Sequence, residues 1–133
     1  MRRFFSSLLA LLLVFTIGLT GCSSPTPSGL TGKYTEDTTA VISSLRTALS
    51  LPDNTPELAE AQAKAKQSIN DFAGLYRREP SVQDKASFRT MQTALNALAG
   101  HYSSYGKRPV PQKLKDRLEQ EFKQIEAALG RGA

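Results

Sequence analysis

The chain has 133 residues, 40% of them hydrophobic and 22% charged, with 17 Lys and Arg against 12 Asp and Glu. That length fits one domain, and the hydrophobic share is ordinary for a globular protein. The net charge of +5 is too mild to point to a nucleic-acid binder, and the one cysteine excludes a disulfide framework.

The first 21 residues have the layout of a signal segment. Arg2 and Arg3 form a basic start, and Leu8 to Leu19 is an apolar run of 12 residues interrupted by Thr16 and Gly18. The run is too short to span a bilayer comfortably. Leu19-Thr20-Gly21-Cys22 then matches the bacterial lipobox. The thiol of Cys22 is needed there to take a diacylglyceryl group as a thioether, and cleavage frees its amine for further acylation. Several acyl chains on one residue make a stable anchor, because each buried CH₂ contributes about 0.8 kcal/mol. Residues 1–21 are thus expected to be removed. That leaves 15 basic residues against 12 acidic ones, a net charge of +3, and no free thiol. Residues 22–33, rich in Ser, Pro, Thr and Gly, have almost nothing to bury and read as a flexible tether.

Residues 34–133 carry four amphipathic helical patterns. The first is expected over Thr35–Leu49, with Thr35 as cap, Glu36 and Asp37 favourably placed in the first turn, and Thr38, Val41, Ile42, Leu45 and Leu49 on one face. The second is expected over Pro56–Arg78, capped by Thr55, with Pro56 where its missing N–H costs nothing. Leu58, Ala61, Ala65, Ile69, Phe72 and Tyr76 form its stripe, and Gly74 suggests a bend or a close contact. The third is expected over Val82–Tyr105, with Ser81 and Asp84 resembling a capping box. Its stripe of Phe88, Met91, Leu95, Leu98, Tyr102 and Tyr105 advances in steps of three and four and needs partner helices to cover it. Gly106 stops this helix, and Lys107-Arg108-Pro109-Val110-Pro111 forms a stiff cationic corner. The fourth runs from Pro111 to about Leu129, with Leu114, Leu118, Phe122, Ile125 and Leu129 inward and Lys115, Asp116, Glu119, Lys123 and Glu126 as solvated surface. No stretch alternates with period two. Four such helices on short loops give an all-α, up-down-up-down four-helix bundle.

Constellations for chemistry are lacking. His101 is the one histidine, and the residue three before it is Leu98, so the Glu-x-x-His unit of a di-iron bundle is absent. Without a free cysteine, a metal would rest on carboxylates, an unusual ligand set for zinc. His101 reads as a boundary or surface residue and the carboxylates as solvated. Neither catalysis nor a cofactor or metal is expected beyond the lipid on Cys22.

Surfaces remain. Tyr76-Arg77-Arg78 ends the second helix, and Tyr102, Tyr105, Lys107 and Arg108 end the third. In this topology those ends lie at opposite poles, with Arg46 and Arg89 between. Tyr and Arg carry much of the energy of protein interfaces, so Tyr76, Arg77, Arg78, Arg89, Tyr102, Tyr105, Lys107 and Arg108 are the candidate partner-binding residues. Basic residues near helix C-termini also offset the dipole. The prolines, however, hold the corner rigid in a way that dipole compensation does not require.

Leu30-Thr31-Gly32-Lys33-Tyr34, Tyr76-Arg77-Arg78, the run from Phe88 to Tyr102 and the run from Ser104 to Pro111 together resemble the cyanobacterial photosystem II assembly lipoproteins, the Psb-twenty-seven family. The resemblance extends over the chain from the lipobox onward. It implies a four-helix bundle tethered by Cys22 on the lumenal side of the thylakoid membrane, monomeric when free and without enzymatic activity. It further implies binding to assembly and repair intermediates of photosystem II through the lumenal loop of the inner antenna subunit CP-forty-three. Such binding keeps the manganese-cluster site accessible and blocks early docking of extrinsic subunits. A PsbQ-like extrinsic subunit of the active complex, or a periplasmic ligand-binding bundle, is the alternative.

Overall fold

The computed structural model describes residues 26–106 and 108–133. Four helices follow one another: α1 (Tyr34–Ser50), α2 (Pro56–Tyr76), α3 (Ala86–Tyr105) and α4 (Gln112–Gly130). No strand occurs among the described residues. α1 packs most closely on α2, and α3 on α4, while α1 also meets α4 and α2 meets α3. That closed ring of antiparallel neighbours is the expected bundle.

The stripes read from the sequence form the core. Val41, Ile42 and Leu45 of α1, Phe72 of α2, Met91 and Leu98 of α3, and Leu118, Phe122 and Ile125 of α4 are all buried. Each such side chain contributes about 1.5–3 kcal/mol by leaving water. At the pole where α1 starts and α2 ends, the rings of Tyr34, Phe72, Tyr76 and Phe88 form a chain with centroid separations of 4.8–6.4 Å. The C-terminus closes the same pole, because Ser87 N–H donates to the Ala133 carbonyl at 3.1 Å.

The helix ends follow local chemistry. Thr55 caps α2 as expected, accepting from Leu58 N–H at 3.2 Å, with Pro56 in the first turn. α2 stops at Tyr76 rather than Arg78, and the Gln83 carboxamide donates to the Tyr76 and Arg77 carbonyls at 3.0 Å each. α3 starts at Ala86 rather than Val82, and the Ser81–Asp84 box does not form. The Ser81 hydroxyl instead donates to Glu79 at 2.9 Å. A turn between Glu79 and Lys85 drives the Val82 side chain into the core, at 2% exposure. Burying this branched side chain contributes about 1.5–3 kcal/mol. Thr35 is not a cap either. Lys33 holds the cap position of α1 without a side-chain bond. The close contact suggested at Gly74 is not made, since a Cβ there would meet nothing within 4 Å.

The flexible-tether expectation is corrected for Thr26–Gly32. Leu30 is 3% exposed and belongs to the core. A turn closed by Gly29 N–H on the Thr26 carbonyl (2.7 Å) and Leu30 N–H on the Thr26 hydroxyl (2.9 Å) presents it. Gly29 and Gly32 take φ of +85° and +90°, which glycine adopts without a Cβ penalty. This strap is part of the fold because the Leu30 side chain reaches the core while Asp71 and Asp37 accept its backbone N–H groups.

Candidate functional site

Of the residues expected to bind a partner, the bundle exposes Arg77, Arg78, Arg89, Tyr105 and Arg108 and buries two. Tyr76 is 4% and Tyr102 5% exposed. They are corrected to core residues, because their rings complete the apolar stripes of α2 and α3. Lys107 and Cys22 lie outside the described residues. Tyr76 and Tyr105 are at opposite poles, as the topology requires.

At the α3–α4 pole, Gly106 has φ +56° and its N–H donates to the Tyr102 carbonyl at 3.1 Å. His101 is buried rather than at the boundary, and its Nε2–H donates to the Arg108 carbonyl at 3.2 Å. The Tyr105 ring lies 5.2 Å from the imidazole, tilted by 36°. Val110 is buried below. The corner is thus held from beneath by His101 and Val110. It presents Arg108 and Tyr105, at 54% the one exposed large hydrophobic side chain among the described residues. A signal for His101 existed: Ala94, Leu98, His101 and Tyr105 repeat at steps of four, three and four alongside the stripe.

The Tyr102 hydroxyl is buried without a protein partner. Burial pushes this phenol up to about 12. Lys66 Nζ sits 5.4 Å from the centre of its ring, a cation–π arrangement.

The carboxylates were expected to be solvated, and Asp37 is not. It is 2% exposed. Its Oδ1 accepts from the Thr31 N–H at 2.8 Å and its Oδ2 from the Gly32 N–H at 2.9 Å and the Tyr76 hydroxyl at 2.6 Å. Asp37 therefore joins strap, α1 and α2 at one point. Its position four residues before Val41 and eight before Leu45 was the available signal, since that places it on the apolar stripe. Burial and the Asp37 carboxylate both raise the Tyr76 phenol far above its ordinary value. Asp71, on α2, accepts from Ser28 N–H and Gln67 Nε2, each at 2.9 Å. Partial burial works to raise its pKa, but the bonds from Ser28, Gln67 and Thr26 prevail and lower it.

Arg46 is not a free surface cation. Its Nη2 meets Glu119 Oε1 at 2.8 Å and Glu126 Oε2 at 3.1 Å, and its Nε meets Glu119 Oε2 at 3.1 Å. Glu119 and Glu126 stay solvated, with side chains 42% and 39% exposed, and pair with Arg46 across α1 and α4. Bonds to Glu126 and Glu119 hold the guanidinium protonated more firmly than usual. The open groove beside this pairing, about 760 Å³, is lined by Thr39, Ser43 and Gln112. Thr39 already donates its hydroxyl proton to the Thr35 carbonyl at 2.9 Å. No group of three His, Cys, Asp or Glu side chains able to hold a metal occurs among the described residues. No described helix is long and apolar enough to cross a membrane.

The polar side chains inside this molecule brace its own ends, and what they leave outward is a rigid corner and several arginines. The class is that of small four-helix bundles whose distinguishing features are end surfaces and a pinned N-terminal strap. The chain belongs to the photosystem II Pbs27 family, whose model matches residues 5–129. It is 57% identical over 133 residues to the photosystem II assembly factor lipoprotein Psb27 of Thermosynechococcus vestitus, covering 100% of this chain and 98% of that one. It is 38% identical over 134 residues to the chloroplastic photosystem II repair protein PSB27-H1 of Arabidopsis thaliana, covering 99% of this chain and 77% of the relative. The solution structure of Psb27 from cyanobacterial photosystem II superposes with a TM-score of 0.76 at 50% identity, over 84% of this chain and 96% of that one. The crystal structure of PSB27 from Arabidopsis thaliana superposes with a TM-score of 0.73 at 42% identity, over 76% and 99%.

Proposed function

We propose that this protein is a non-catalytic assembly and repair factor of photosystem II, anchored by acylated Cys22 on the lumenal side of the thylakoid membrane. The carrying observation is the 57% identity over the whole chain to a relative named as an assembly factor lipoprotein. The partner is an assembly intermediate, met at the lumenal loop of the inner antenna subunit CP-forty-three. Bound there, the bundle keeps the manganese-cluster site accessible and blocks premature docking of extrinsic subunits.

Tyr105, Lys107 and Arg108 form the contact. The lipid confines the protein near its membrane-bound partner and raises its effective concentration there. A modest interface of basic and aromatic groups is then specific and still reversible. The His101 bond to the Arg108 carbonyl supports this reading, because a corner fixed before binding loses little freedom on binding.

The test is affinity isolation of a tagged, lipidated form from its own membranes, followed by mass spectrometry and an oxygen-evolution assay. Recovery of the inner antenna subunit in an inactive complex lacking extrinsic subunits is expected. Recovery of an active complex with its extrinsic subunits would instead make this a PsbQ-like subunit. Changing Lys107→Glu and Arg108→Glu together is expected to reduce co-purification several-fold. Unchanged recovery would remove the corner from the contact.

A further inference from the structure

The strap lies in the groove between α1 and α2. Pro27, Ser28 and Leu30 share a cleft there with Ala40 of α1 and with Lys64 and Gln67 of α2. Three separate contacts fix it: the Leu30 side chain in the core, Ser28 N–H on Asp71, and the Thr31 and Gly32 N–H groups on buried Asp37. The first described residues therefore lie beside Asp71, on the flank of the bundle, and not at the first residue of α1.

That position limits where a lipid on Cys22 can be. From Cys22 to Thr26 is four residue steps, about 14 Å at full extension. Asp71 is five residues from the end of α2, about 8 Å at 1.5 Å per residue, and 15 from its start, about 22 Å. The pole bearing Arg77 and Arg78 is thus within reach of the anchor, and the opposite pole with Tyr105 and Arg108 is not. A path around to the outer faces of α3 and α4 must pass a helix about 10–12 Å thick on top of the spacing between helix axes. That exceeds the tether.

We infer that the docked strap makes the α1–α2 flank, with the end of α2, the membrane-apposed surface, placing Arg77 and Arg78 against anionic lipid headgroups and directing the Tyr105–Arg108 end away from the bilayer. The inference rests on the acylation of Cys22 proposed above. Arg77 and Arg78 suit the position because both are exposed and neither takes part in an ion pair among the described residues. Basic residues within a Debye length of an anionic surface are drawn to it. A lipid and a basic pair together fix orientation, which a lipid on a loose tether does not.

The test uses the full lipidated protein in vesicles of phosphatidylcholine and phosphatidylglycerol. Acylation leaves no free thiol, so single cysteines can be introduced and spin-labelled as Ala40→Cys beside the strap, Gln92→Cys on the outer face of α3, and Lys113→Cys at the far pole. Relaxation by nickel chelated to lipid headgroups is expected to be several-fold stronger at residue 40 than at residues 92 and 113. A second form carries a Gly-Ser insertion before Thr26 long enough to span the bundle, which leaves every strap contact intact. In it the difference is expected to shrink towards none. Equal relaxation at the three sites in the uninserted protein, or a stronger effect at residue 92 or 113, overturns the inference while leaving the anchor reading in place. A difference that survives the insertion shows that the strap is not its cause. Mass spectrometry of the N-terminus reports the lipid separately, and an unacylated Cys22 on membrane-bound protein removes the anchor reading and this inference with it.

Discussion

The Tyr76 hydroxyl donates to Asp37 Oδ2 at 2.6 Å, between two side chains that are 4% and 2% exposed. One bond ties the last residue of α2 to the first turn of α1, and the same carboxylate holds the backbone of the strap. The expected outcome of Asp37→Ala is a loss of about 3 kcal/mol, because it orphans two backbone N–H groups and a phenol at once and a bond to a charged group alone is worth about 1.5–3 kcal/mol. Tyr76→Phe removes one donor only and is expected to lose about half as much. Urea unfolding of both variants and of the double variant checks this. Additive losses would show that the two residues are not coupled.

Leu30 makes the strap a structural element. Leu30→Ala is expected to cost about 2–3 kcal/mol, as for a buried leucine. At about 4–8 °C per kcal/mol for a domain near this size, the melting temperature falls by roughly 10–20 °C. A residue in a flexible tether would change it by almost nothing, so a thermal melt decides between the two descriptions.

Gly74 and Gly100 sit inside α2 and α3, and a Cβ at either would meet nothing within 4 Å. Gly74→Ala and Gly100→Ala are each expected to stabilise the protein by about 0.5–1 kcal/mol through helix propensity and reduced freedom of the unfolded chain. Gly106→Ala also meets no atom but takes φ +56° with ψ −117°, outside the left-handed helical region, and is expected to destabilise by about 1–3 kcal/mol. Chemical denaturation of the three variants reads opposite signs.

Three of the four tyrosines are buried or half-buried, and their phenols are raised above the ordinary value of 10. Burial is the leading cause at Tyr34, Tyr76 and Tyr102, with the Asp37 bond adding at Tyr76. Above pH 10 the unfolded chain releases these protons and the folded one keeps them. The folded state then binds more protons, and stability falls as pH rises. The contribution is complete below about pH 10 and is lost progressively above it, with Tyr102 ionising in the folded protein only near 12. Absorbance at the phenolate band, followed beside circular dichroism, is expected to show most tyrosines ionising together with alkaline unfolding. Tyr102→Phe, which removes a hydroxyl without a protein partner, is expected to be neutral or stabilising by up to about 1 kcal/mol and to moderate that loss.

The four helices were legible because their apolar residues recur at helical spacing, and Thr55 and Gly106 marked two ends by chemistry that acts within a few residues. The start of α3 was missed because Val82 is buried from a turn rather than from the helix, and what covers it lies outside any local pattern. The pairing of Arg46 with Glu119 was not legible for the same kind of reason. They are 73 residues apart, and nothing near either one in the chain names the other.

The sequence by itself determined an all-α chain, the inward face of each helix and a rigid turn after Tyr105, since these depend on periodicity and on the backbone preferences of proline and glycine. Only the tertiary structure decided that Tyr76 and Tyr102, stripe residues that also read as partner contacts, are fully covered, that Asp37 is a buried junction and that Thr26–Gly32 is a docked strap. An aromatic or charged residue at the edge of a stripe is inside or outside according to what the next helix brings against it. That depends on contacts between residues distant in the chain, which form only when all four helices are in place.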